Sequence, residues 1–101
     1  MNGIQVAYDT VAGQGAPVVF LHGLAEDRAT WAGHLGAVTS RPCFAYDLRG
    51  HGETSIGNAD ATLEQLGEDL LGFLRAVCGP ATVVGFSLGG TIALWAAAHD
   101  P

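Results

Sequence analysis

Three short runs of this chain are built from apolar and β-branched residues, and each leads directly into a glycine-containing loop. Pro17-Val18-Val19-Phe20-Leu21 enters His22-Gly23-Leu24. Pro42-Cys43-Phe44-Ala45-Tyr46 enters Asp47-Leu48-Arg49-Gly50-His51-Gly52, and Ala81-Thr82-Val83-Val84 enters Gly85-Phe86-Ser87-Leu88-Gly89-Gly90. Runs without polar alternation suit strands buried on both faces. Helical patterns separate them. Thr62 with Gln65 three residues on has the form of a capping box. Leu63, Leu66, Leu70, Phe73 or Leu74, and Val77 then recur at helical spacing until Gly79-Pro80 ends the helix.

A short helix is expected near Thr30 to Val38, and another from Leu88 to His99. Ile4 to Val11 alternates apolar and polar residues, as a half-exposed edge strand would, and Gly13-Gln14-Gly15 turns it. The order β–β–α–β–α–β–α predicts an α/β architecture, a parallel sheet with helices on both faces. In such sheets chemistry gathers at the carboxyl ends of the strands. All three glycine loops leave those ends, so they are expected to converge on one edge of the sheet.

Composition narrows the partners. With 101 residues the chain is at most one domain, and 49% hydrophobic content is too high for a disordered one. The net charge of −6, with only four Lys and Arg, argues against nucleic acid and anionic membrane surfaces. No signal peptide and no apolar run long enough for a membrane helix is visible. Cys43 and Cys78 stand far apart without a Cys-x-x-Cys pair, so they read as reduced structural thiols, and neither metal nor disulfide is implied. A soluble, cytoplasmic protein is expected.

The seam between the last strand and the last helix holds the most specific chemistry. In Gly85-Phe86-Ser87-Leu88-Gly89 a serine sits where neither regular element can absorb it. Such a residue is forced into a tight strand-to-helix turn, with its hydroxyl raised above the sheet and a helix N-terminus aimed at whatever it attacks. The bland alternative, a glycine-rich packing contact with Ser87 as a helix cap, stays open at this point. Two phosphate readings fail. After Gly90 a P-loop needs Lys and then Ser or Thr, but Thr91-Ile92 follow; Gly13-x-Gly15 lacks a third glycine and a following helix. Acyl transfer also needs donors for the developing oxyanion. The backbone amides of Leu88, next after the serine, and Leu24, beside Gly23, are the candidates.

Taken together, His22-Gly23-Leu24, Asp47-Leu48-Arg49-Gly50-His51-Gly52 and Gly85-Phe86-Ser87-Leu88-Gly89-Gly90 resemble the N-terminal half of an α/β-hydrolase-fold protein, over essentially all of residues 1–101. The resemblance implies a hydrolase with Ser87 as nucleophile and the Leu24 and Leu88 amides as oxyanion hole. Its substrates would be small carbonyl compounds such as esters, thioesters or lactones, without a cofactor. Serine stands where dehalogenase- and epoxide-hydrolase-like members carry aspartate. Thr54 stands where the family often has serine, and the hydroxyl is kept.

Partners for the serine are not found. His22 and His51 belong to the family loops and are expected to brace backbone, and His34 to lie on a short helix. His99 follows Ser87 by twelve residues of helix, about 18 Å at 1.5 Å per residue, far beyond hydrogen-bond reach. The family supplies its acid and histidine later in the chain, and fourteen residues follow Ser87 here. The expectation is therefore a fold cut after the helix that follows the elbow, inactive by itself. The competing expectation is a non-catalytic half-domain that binds a partner, or itself, through the open edge of the strand 81–84.

Overall fold

The computed structural model describes residues 2–37, 39–57 and 61–100. Four strands, β1 (Tyr8–Val11), β2 (Val18–Leu21), β3 (Cys43–Tyr46) and β4 (Thr82–Gly85), form one sheet in the order β1-β3-β2-β4. Two helices, α1 (Leu63–Phe73) and α2 (Leu88–His99), complete the regular structure. β2 pairs in parallel with β3 and with β4, and β1 adds an antiparallel edge. β2, the most continuously apolar run, occupies the interior and is buried at all four positions. β1, the alternating segment, lies at the edge as expected, but its four residues are exposed.

The pleat sorts the core into two layers. On one face Val19, Leu21 and Tyr46 meet Leu66, Leu70 and Phe73 of α1 and Ile92 and Ala96 of α2. Tyr46 and Phe73 stack with ring centroids 4.5 Å apart, and Tyr8 closes over Phe73 edge-on at 5.3 Å. Burying each side chain of this size contributes on the order of 1.5–3 kcal/mol, so this layer dominates the stability. Both helices lie here, and α1 and α2 pack on each other as well as on the sheet.

The expectation of helices on both faces is therefore corrected. On the second face Val18, Phe20, Cys43 and Ala45 are covered by Trp31 and Leu35 from the connection between β2 and β3. The short helix expected near Thr30 to Val38 is reduced to one 3-10 turn, Arg28–Trp31, followed by turns. Gly36 breaks the helical path with φ +78°, and Asp27 starts the turn early by accepting from the Ala29 N–H. Val38 lies outside the described residues.

α1 begins as expected, with Thr62 Oγ1 accepting from the Gln65 N–H at 3.1 Å. The reciprocal arm of the box is not made. Gln65 turns its amide to Asp69 at 2.9 Å instead. The helix then widens into a π turn over Leu74–Cys78 and stops at Gly79, φ +77°. Among the described residues no helix is long and apolar enough to cross a membrane.

Candidate active site

Only Phe86 and Ser87 separate β4 from α2. To turn within two residues, Ser87 adopts φ +55° and ψ −115°, a conformation that L residues rarely hold. Its side chain makes no capping bond, so the hydroxyl is left free at the helix N-terminus. The helix cap reading is thus corrected: Ser87 occupies the cap position without capping. Phe86 anchors the turn by donating its N–H to the Leu21 carbonyl at 3.0 Å. Neither flanking glycine has room for a side chain. A Cβ on Gly89 would stand 2.8 Å from the His22 carbonyl oxygen, so α2 starts directly against the end of β2.

The three glycine loops do converge. Leu24, His51, Ser87, Leu88 and Thr91 line one open pocket of about 630 Å³, walled on its remaining side by Leu63 and Leu66 of α1. Leu24 and Leu88 are thus brought to the serine. Among the described residues neither of their backbone N–H groups has a hydrogen-bond partner. The Leu24 loop is held by reciprocal bonds, Glu26 N–H to the Gly23 carbonyl at 3.2 Å and the Gly23 N–H to Glu26 Oε1 at 3.2 Å. Ala25 accommodates this turn with φ +63°. Two unsatisfied donors beside a free hydroxyl, at the positive end of a helix, are suited to hold a developing negative charge.

Beneath the pocket the loops are tied together by buried polar groups. His22 is fully buried; its Nδ1 donates to the Gly23 carbonyl at 2.7 Å, and its Nε2 accepts from the Leu48 N–H at 3.0 Å. The ring therefore joins the loop after β2 to the loop after β3, the brace expected of it. Burial lowers its pKa below the ordinary imidazole value, with the neighbouring His51 adding to the effect.

Asp47 is also fully buried. It accepts from the backbone N–H groups of Arg28 at 2.7 Å and Glu53 at 2.9 Å, and pairs with the Arg28 guanidinium. Burial alone would raise its pKa, but the two backbone donors and the Arg28 charge hold it below its ordinary value.

Sequence reasoning missed a second buried polar network. Arg49 and Asp69 form a two-pronged buried pair, Nε to Oδ2 at 2.8 Å and Nη2 to Oδ1 at 2.9 Å. Arg49 also donates to the Ile56 and Asn2 carbonyls. This ties the loop after β3 to α1 and to the N-terminal segment.

The remaining histidines stay apart from the serine. His99 turns back on its own helix, bonding the Trp95 carbonyl at 2.7 Å, and His34 packs edge-on against Trp31. His51 does reach the pocket, with Nδ1 bonded to the Arg49 carbonyl at 2.9 Å.

The model of the alpha/beta hydrolase family matches residues 18–100. The chain belongs to the alpha/beta hydrolase family. Among curated relatives of this alpha/beta hydrolase, protein phosphatase methylesterase 1 from Mus musculus is 37% identical over 95 residues, covering 86% of this chain and 25% of the relative. The 3-oxoadipate enol-lactonase 1 of Acinetobacter baylyi is 38% identical over 80 residues, covering 77% of this chain and 30% of that protein. A carboxylesterase structure from Nitrososphaera gargenis superposes with a TM-score of 0.90 at 28% identity, covering 99% of this chain and 39% of its own. The chain thus spans about a quarter to two-fifths of the length of these relatives.

Proposed function

We propose that this alpha/beta hydrolase segment carries the nucleophile and the oxyanion hole for hydrolysis of a small carbonyl substrate, an ester, thioester or lactone. Ser87 Oγ attacks the carbonyl carbon and surrenders its proton to a base. The carbonyl oxygen becomes an oxyanion that the Leu24 and Leu88 N–H groups receive. The alcohol or thiol then leaves with a proton, and water releases the acyl group from Ser87. No cofactor enters this scheme. The observation that carries it is the strained Ser87 at the mouth of a pocket that also holds two unsatisfied N–H groups. The esterase and lactonase names among the relatives support the same substrate class.

None of the described histidines hydrogen-bonds Ser87, and in this reading the base lies outside them. Loss of the base from a serine hydrolase costs roughly 10⁶ in rate and leaves about 10³–10⁴ over water. Residues 1–101 alone are accordingly expected to react slowly. The test is labelling with a fluorophosphonate together with p-nitrophenyl acetate turnover. Slow labelling that Ser87→Ala abolishes supports the reading. Fast turnover by residues 1–101 would overturn the view that they lack a base, and labelling unaffected by Ser87→Ala would overturn the nucleophile.

One observation favours a second reading. Among the described residues β4 pairs only with β2, and Thr82, Val84 and Gly85 are exposed along it. An open apolar edge is a template for pairing, so self-association through β4 would compete with catalysis as the role of residues 1–101. Size-exclusion chromatography at several concentrations separates the two; a monomer throughout counts against association.

A further inference from the structure

The pocket in front of Ser87 is walled by leucines, and among the described residues beside the serine only Thr91 and His51 bring polar side chains to it. A mostly apolar pocket with few convergent polar groups takes its selectivity from those groups. His51 is the better defined of the two. Its Nδ1 lies 2.9 Å from the Arg49 carbonyl oxygen, which can only accept, so Nδ1 carries the proton and Nε2 of the neutral ring is left as an acceptor. Nε2 has no partner among the described residues. The adjacent His22, with its ring centroid 5.2 Å away, cannot supply one, because both of its nitrogens are committed to Gly23 and Leu48.

The loop that carries His51 is hydrogen-bonded on both sides of that residue. Its N–H donates to the Leu48 carbonyl at 2.8 Å, its carbonyl accepts from Thr54 at 3.0 Å, and Arg49 behind it is locked to Asp69. An acceptor held this firmly keeps its direction without a ligand to order it, which is the condition for a selective contact.

We propose that His51 is a substrate-positioning residue. Its Nε2 accepts a hydrogen bond from a hydroxyl or N–H group carried by the substrate near the scissile carbonyl. The preferred substrates are then hydroxyl- or amide-bearing esters or lactones rather than plain alkyl esters. This rests on Ser87 being the nucleophile of the same pocket.

The experiment compares two fluorophosphonates of equal length, one ending in a hydroxyl and the other in a methyl group at the same position, and reads the ratio of their labelling rates. Because it is a ratio, it does not depend on how fast Ser87 reacts. One neutral hydrogen bond predicts a preference of about three- to tenfold for the hydroxyl probe in the unmodified chain. His51→Phe is expected to bring the ratio to one, and His51→Gln, which keeps an acceptor, to restore part of it. A purely structural role would slow both probes together and leave the ratio unchanged.

Equal labelling by both probes in the unmodified chain, or a preference that survives His51→Phe, overturns the role of His51 while leaving Ser87 in place. Labelling that persists in Ser87→Ala, or no labelling of the unmodified chain, overturns the reading of the pocket and the proposal with it.

Discussion

The backbone of Gly85, at the end of β4, packs directly on the backbone of Gly89 in the first turn of α2: a Cβ on Gly85 would come closer than 3.0 Å to the Gly89 carbonyl group. The strand leaves and the helix returns over the same spot, and hydrogen is the only substituent that fits between them. Gly85→Ala and Gly89→Ala should each destabilise the fold by about 1–3 kcal/mol or more through overpacking. Gly90→Ala should be neutral or stabilising, since its nearest neighbour atom would be 3.4 Å away and alanine gains up to about 1 kcal/mol over glycine within a helix. Urea unfolding midpoints of the three variants check the contrast. Equal losses at all three positions would refute it.

Ser87 holds a backbone conformation that glycine adopts without penalty. Ser87→Gly should therefore stabilise the fold, by on the order of 1 kcal/mol, while removing fluorophosphonate labelling altogether. Thermal unfolding beside a labelling gel would show both effects in one preparation. A destabilised variant would mean that the elbow is not strained.

The Arg49–Asp69 pair is buried on both sides, with side-chain exposures of 1% and 3%. Removing one partner leaves the other charge stranded, so Arg49→Met or Asp69→Leu alone should cost about 3–5 kcal/mol. The double variant should cost clearly less than the sum. A double-mutant cycle by chemical denaturation gives the coupling, and strict additivity would contradict the buried pair.

Stability should fall on acidification in two windows. His22 has a folded pKa below the ordinary 6.5, so as pH drops below that value the unfolded chain takes up a proton that the folded chain refuses. Asp47 has a folded pKa below the ordinary 3.8; its contribution is complete above that value and is lost as pH falls through the lower folded one. His22→Gln should flatten the unfolding free energy between pH 7 and 5, and Asp47→Asn should make the drop below pH 4 shallower. Unchanged slopes would show that the two groups titrate alike in both states.

Much of the site was legible because its constraints are local. The strand runs, the stop of the α1–π-turn segment at Gly79 and the span of α2 follow from patterns within about ten residues, and the crowding at Gly85-x-Ser87-x-Gly89 follows from a two-residue turn. The short helix near Thr30 was misjudged because Gly33 and Gly36 weaken it and its few apolar residues are used to cover one face of the sheet. The Arg49–Asp69 and Arg28–Asp47 pairs could not be read at all. Their partners are twenty and nineteen residues apart, and nothing in their local sequence marks them as a pair.

The sequence by itself determined the strand runs, the two long helices, the edge where the glycine loops meet and the residue forced into the elbow, since steric exclusion and periodicity act between neighbours along the chain. Only the tertiary structure decided that α1 and α2 share one face, that β1 runs antiparallel, and that His22 and Arg49 lock the loops beneath Ser87. Those outcomes depend on which distant groups satisfy each other once water is excluded, and buried polar atoms find partners across the fold rather than along the chain.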